Sequence, residues 1–182
     1  LEAGKTSYTA NRGKLELREA IADHVDQWGH NYDPPSEILV TTGASEAVDL
    51  ALRTFVDPGD TVAVHQPTYI SYKPGVRFAG GEPLAVPTGA DNDFVLTPEA
   101  LRAAGAADAD ALIFCYPNNP TGAVMDESEV AAVADFCVDN EIDVIADEIY
   151  AALTYDGDHT SIATMPGMRE RTIVVNGFSK AY

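Results

Sequence analysis

The chain has 182 residues, 46% of them apolar, which is enough for one domain with a sizeable core and argues against disorder. Its 29 acidic residues stand against 11 basic ones, a net charge of −18, and such a surface repels nucleic acid and anionic membranes. No stretch approaches the length that crosses a bilayer, and the two cysteines, Cys115 and Cys137, lie in apolar surroundings without metal-ligand spacing, as reduced core thiols of a cytoplasmic protein do.

In chain order, Leu17, Ile21, Val25 and Trp28 recur at intervals of four, four and three and predict an amphipathic helix. The run from Ile38 to Thr42 is the first of six short apolar stretches; the others are 61–65, 83–86, 111–115, 142–146 and 172–175. They are near-continuous rather than alternating, as strands buried on both faces are. Residues 45–56 read as a largely buried helix, ended by Asp57-Pro58-Gly59. Thr97-Pro98 is an N-cap followed by proline at the first helical position. Asp126 with Glu129 forms a capping-box pattern, with Val130, Val133 and Cys137 as the inner stripe of that helix. Strands alternating with helices imply right-handed crossovers and an α/β fold: three α/β/α layers around a mainly parallel sheet. Ligands of such sheets bind beyond the carboxyl ends of the strands.

Four of those ends carry chemistry. The first run leads into Gly43-Ala44-Ser45 and a helix, where small residues let backbone N–H groups face an anion; the same residues also read as a tight turn with Ser45 as a cap. The fourth leads into Tyr116-Pro117-Asn118-Asn119-Pro120-Thr121-Gly122, whose prolines stiffen the backbone around the Asn119 amide; a plain Asx-turn is the alternative. The fifth leads into Asp147-Glu148-Ile149-Tyr150, which brings a carboxylate to the mouth of the sheet with a phenol three residues on. The sixth leads to Lys180, one of only four lysines. A lysine desolvated at a strand end becomes a nucleophile for aldehydes, although a surface lysine is the commoner case. An anion cradle, an amide, a carboxylate with a phenol, and an amine on one sheet edge are what pyridoxal 5'-phosphate (PLP) requires.

With "NNPTG", "DEIY" and "GFSKAY" in this order, the chain resembles the class I/II aminotransferases, fold type I PLP enzymes, over essentially its whole length. It looks like the subfamily that contains broad-specificity aspartate and aromatic aminotransferases. The resemblance implies an enzyme that moves an amino group from an amino acid to a 2-oxo acid through a Schiff base on Lys180, with no metal. It implies that Asp147 pairs with the pyridinium nitrogen, that Tyr150 and Asn119 bond the phenolic oxygen, and that Gly43, Ala44 and Ser45 hold the phosphate. It also implies that Tyr69, in "QPTYISY", stacks on the cofactor, and that Tyr8 reaches the phosphate of the neighbouring subunit of a homodimer. Gly177 departs from the pattern, standing where many members carry a phosphate-binding serine.

On the same resemblance, residues 1–182 correspond to a partial PLP-binding large domain, without the N-terminal arm, the seventh strand and the C-terminal small domain. The first run, 38–42, would then be a strand lacking its antiparallel neighbour, an unprotected sheet edge. Alternatives to amino transfer are a PLP-dependent lyase or decarboxylase of the same fold and an aminotransferase-like sensor domain of a transcription regulator. A high-salt cytoplasm would explain the acidity, because salt screens the self-repulsion of such a surface. Expressed alone, the 182-residue chain is expected to be unstable and inactive; measurable transaminase turnover by the soluble fragment would refute this.

Overall fold

The computed structural model describes Gly4 and residues 6–182. They fall into two units, one reaching to Thr42 and one running from Gly43 to Tyr182.

The first unit carries helix α1 (Leu15–Val25), continued by a 3₁₀ turn at Asp26–Trp28, and the single turn α2 (Pro34–Glu37). The expected stripe is only partly inward. Val25 is buried but Leu17 is exposed, and Arg18 is buried instead. Its guanidinium donates through Nη1 to the carbonyls of Pro34 (2.6 Å) and Pro35 (2.9 Å), so a charged side chain, not an apolar stripe, joins α1 to α2. The run 38–42 is not a strand. It is extended at Ile38, but it belongs to no ladder, and the Val40 N–H donates to the Arg12 carbonyl at 3.0 Å. A strand exists only where a neighbour supplies N–H and C=O groups in register, and none of the described strands lies alongside this run.

The second unit contains α3 (Ala44–Phe55), β1 (Thr61–Gln66), α4 (Tyr72–Ala79), β2 (Glu82–Pro87), α5 (Pro98–Ala103), β3 (Ala111–Phe114), α6 (Glu127–Asp139), β4 (Asp143–Asp147) and β5 (Thr172–Val175). The five strands form one sheet in the order β2-β1-β3-β4-β5, and every pairing is parallel. Five of the six expected strands are therefore present, each within a residue or two of its apolar run. The helix starts follow their predicted chemistry. Thr97 Oγ1 accepts from the Ala100 N–H at 3.2 Å. Asp126 and Glu129 exchange side-chain and backbone bonds, both at 2.9 Å.

Because side chains alternate along a strand, the sheet has two cores. Ala63, Leu112, Phe114, Val144 and Ala146 pack with Leu101 of α5 and Val130, Val133 and Cys137 of α6. Val62, Val64, Ile113, Ile145 and Val175 pack with Val48, Ala51 and Leu52 of α3 and Tyr72 and Val76 of α4. This is the three-layer α/β/α arrangement. Both cysteines are buried, and burial pushes each thiol up to about 12, which makes them core residues rather than nucleophiles. Among the described residues no helix is long and apolar enough to cross a membrane, and no group of three or more His, Cys, Asp or Glu side chains could hold a metal ion.

Leaving β1, the chain goes first to β2 on one side and afterwards to β3 on the other. The loops after β1 and β3 thus diverge from a topological switch point, where open α/β sheets form a crevice. Asn118, buried in the loop after β3, donates from Nδ2 to the Pro67 carbonyl in the loop after β1 (3.0 Å) and to Thr121 Oγ1 (2.8 Å), tying the two loops together.

His65, near the end of β1, is fully buried and stacked on Tyr116, with ring centroids 5.0 Å apart. Its Nε2 faces the Cys115 N–H at 3.4 Å, and its Nδ1 has no partner. Burial lowers its pKa from 6.5 to about 4, so the folded state holds the neutral ring. A group whose folded pKa is depressed stabilises the fold fully above its unfolded pKa, and loses that contribution as pH falls through the interval. At about 1.4 kcal/mol per pKa unit the interval is worth about 3 kcal/mol. Denaturant titration of the whole protein should therefore show stability falling between pH 6.5 and 4, and His65→Gln should flatten that limb whatever it costs at neutral pH. An unchanged slope in the variant would contradict the assignment.

Candidate active site

The carboxyl ends of β1, β3, β4 and β5, with the start of α3, surround one open cavity of about 430 Å³. Every residue that the sequence nominated in the second unit lines it. Gly43, Ala44 and Ser45 contribute from the α3 start, Tyr69 from the loop after β1, and Asn119 from the loop after β3. Asp147 and Tyr150 line it from the end of β4, and Lys180 from beyond β5. Tyr8 belongs to the first unit, where its ring is fully exposed.

Asp147 is the last residue of β4 and shares its face with Ile145, the α3–α4 side. It is buried at 6% exposure. Tyr72 Oη donates to its Oδ2 at 2.7 Å and the Ile149 N–H to its Oδ1 at 3.2 Å. Burial raises its pKa above the ordinary aspartate range; the two donors pull the other way, and the neighbouring Glu148 charge adds to the rise. A carboxylate has about four acceptor sites, and among the described residues Asp147 has two donors and no cationic partner. It is a buried carboxyl group whose charged form a cationic N–H entering the cavity would satisfy.

Tyr72 is a functional residue that the sequence reading missed. "YKPG" resembles a turn, yet it opens α4. Pro74 is tolerated there because proline in the first turn removes an N–H that has no helical acceptor. The signal was present in the spacing: Tyr69 and Tyr72 are three residues apart at a helix start, and their rings meet edge-on with centroids 5.5 Å apart. Burial, the first cause, together with Asp147, holds the Tyr72 phenol far above its ordinary pKa, so it is a permanent donor to Asp147.

On the other side of the cavity, Asn119 Nδ2 lies 3.2 Å from Tyr150 Oη, so the amide and the phenol expected to share one acceptor are adjacent. Gly43 is the N-cap of the 12-residue helix α3, at φ +80°, a conformation that favours glycine. Gly43 has no side chain with which to cap the helix, and Ser45 is in its first turn and is not the cap. The α3 start therefore turns backbone amides and the positive end of the helix dipole toward the cavity, suited to an anion. Lys180 stands on a turn five residues past β5 and is exposed at the cavity rim rather than sunk among apolar side chains, because that turn carries it clear of the strand's apolar end. Gly177 does not need to be glycine: its φ is not in the left-handed region, and a Cβ would meet Ile149 at an ordinary 3.6 Å.

A ligand with an anionic group, a protonated ring nitrogen, a phenolic oxygen and an aldehyde would find a matching partner for each on these walls. Residues 3–182 match the family model described as aminotransferase class I and II. The chain is 42% identical to an aspartate aminotransferase of Pyrococcus abyssi and 40% identical to aromatic-amino-acid aminotransferase 2 of Thermococcus litoralis; both alignments span the whole chain and 47% of the relative. The crystal structure of an aromatic aminotransferase from Pyrococcus horikoshii superposes with a TM-score of 0.94 at 43% identity, covering 98% of this chain and 48% of that one. The chain thus spans about half the length of the relatives it matches.

Removing the Tyr72 hydroxyl takes one of two donors from a buried carboxylate, a loss of about 2 kcal/mol. Tyr72→Phe should lower the stability of the ligand-free whole protein by that order in chemical denaturation and raise the Asp147 pKa further, read by carboxyl carbon-13 NMR titration. Unaltered titration of Asp147 would refute the role assigned to Tyr72.

Proposed function

The chain belongs to the aminotransferase class I and II family, and from that premise we propose that the whole protein is a PLP-dependent aminotransferase, transferring an amino group from an amino acid to a 2-oxo acid. The single observation that carries this reading is the buried Asp147 carboxylate, without a cationic partner among the described residues, lining the same cavity as Lys180. When bound, PLP supplies an electron-accepting ring and an aldehyde.

The roles of the chain's residues follow from their chemistry. Asp147 would pair with the protonated ring nitrogen, and Tyr72 and the Ile149 N–H hold Asp147 in place. Tyr150 Oη and Asn119 Nδ2 would donate to the phenolic oxygen. The backbone at Gly43, Ala44 and Ser45 would receive the phosphate, and the half-exposed Tyr69 ring would stack on the cofactor. The Lys180 amine would anchor the aldehyde and, once freed by substrate, would move a proton between the substrate's Cα and the carbon that had carried the aldehyde. Tyr8, exposed in the first unit, would serve the phosphate of a neighbouring subunit in a homodimer. Buried reduced thiols suit a cytoplasmic enzyme.

Aspartate and aromatic amino acids, the substrates named for relatives at 40–42% identity, are the first to try. The whole protein loaded with PLP should convert them to 2-oxo acids and show a lysine-dependent visible absorbance band. Lys180→Ala should abolish the band and slow turnover by roughly 10²–10⁴-fold or more. Release of carbon dioxide in place of a 2-oxo acid would overturn the reading.

A further inference from the structure

Next to Asp147, on the opposite face of the sheet, lies a second buried acid that none of the roles above uses. Glu148 is 2% exposed. Its Oε1 accepts from the hydroxyl of Ser161, itself 1% exposed, and its Oε2 lies 3.2 Å from His159 Nε2, whose side chain is also buried. Ser161 is fixed in turn: its Oγ accepts from the Ala163 N–H at 3.2 Å, and its carbonyl from Thr164 Oγ1 at 2.8 Å. The two acids are sorted by face. Asp147 bonds Tyr72, a member of the α3–α4 core. Glu148 bonds Ser161, which precedes Ile162 of the α5–α6 core.

The backbone of Glu148 is also a junction. Its N–H donates to the Val175 carbonyl at the end of β5, at 2.8 Å, and its carbonyl accepts from Ala151 at 2.9 Å, which closes the turn that carries Tyr150. The strand that leads to Lys180, the turn that presents Tyr150, and the carboxylate of Asp147 therefore all meet at one residue. A buried carboxylate beside another carboxylate is unfavourable unless it is hydrogen-bonded; the Ser161 hydroxyl supplies that bond, and the His159 ring nitrogen lies 3.2 Å from the second oxygen.

We infer that Glu148, held by Ser161 with the His159 ring beside it, is a positioning residue: it fixes the turn after β4 so that Asp147, Tyr150 and the strand leading to Lys180 face one cavity in register. This rests on the proposed PLP site. The anchor acts from behind the sheet, across from the cavity. A carboxylate suits the role because one oxygen accepts from the Ser161 hydroxyl while the other stands 3.2 Å from the His159 ring nitrogen.

The test uses the whole protein loaded with PLP and reads the pH midpoint of the lysine-dependent absorbance band, alongside thermal stability. Donors that stabilise an ionised phenolic oxygen hold that midpoint down. If Glu148 sets the place of Tyr150, then Ser161→Ala and Glu148→Ala raise the midpoint by about half a pH unit or more, a threefold or larger change in the equilibrium. Glu148→Gln, whose amide oxygen still accepts from Ser161, restores most of that shift. Glu148→Ala should also weaken cofactor binding about tenfold. A band with an unmoved midpoint in both alanine variants overturns the inference, even if their melting temperatures fall, because Glu148 would then be only a packing residue. Absence of any lysine-dependent band in the unsubstituted protein overturns the proposed cofactor site, and this inference with it.

Discussion

The arrangement depends on one buried carboxylate. Asp147 sits where β4 ends, out of water, with a phenol and a backbone amide as its donors. Alone, that placement opposes ionisation. It becomes favourable when a cation approaches, and the low local polarity then strengthens the attraction. The surrounding architecture supports that condition: Tyr72 from α4 beside it, Glu148 anchored behind it, and the cavity opening before it.

Sheet topology explains why these groups converge. Five parallel strands direct their carboxyl ends to one edge, and the reversal in strand order at β1 separates the loops after β1 and β3 enough to leave a crevice. Asn118 limits that separation by bonding across it. Strand alternation then divides the side chains between two cores, so that consecutive acids, Asp147 and Glu148, serve opposite faces. In the proposed site, one would meet the cation and the other would hold the chain in place.

Much of this was legible in the residues. Near-continuous apolar runs located five strands, and the Asp126–Glu129 box and the Thr97-Pro98 cap located helix starts, because both signals act over three or four residues. The motifs around Asn119, Asp147 and Lys180 picked out residues that line one cavity, because strand ends in a parallel sheet are where such groups project. The misreadings have a common origin in partners distant along the chain. The run 38–42 has strand composition but no ladder neighbour among the described strands. Leu17 has helical spacing but no cover, while Arg18 is buried by the carbonyls of α2. Lys180 looked desolvated from its apolar neighbours in sequence, yet the turn carries it to the rim.

By itself, then, the order of residues determined the strand–helix alternation, the local caps and the identities of the groups that face the cavity, since each depends on neighbours a few positions away. Only the tertiary structure decided the partnership of Tyr72 with Asp147, 75 residues apart, the bond from Ser161 to Glu148, and the exposure of Lys180. Hydrogen bonds and burial of that kind depend on distance in space, and the fold sets those distances.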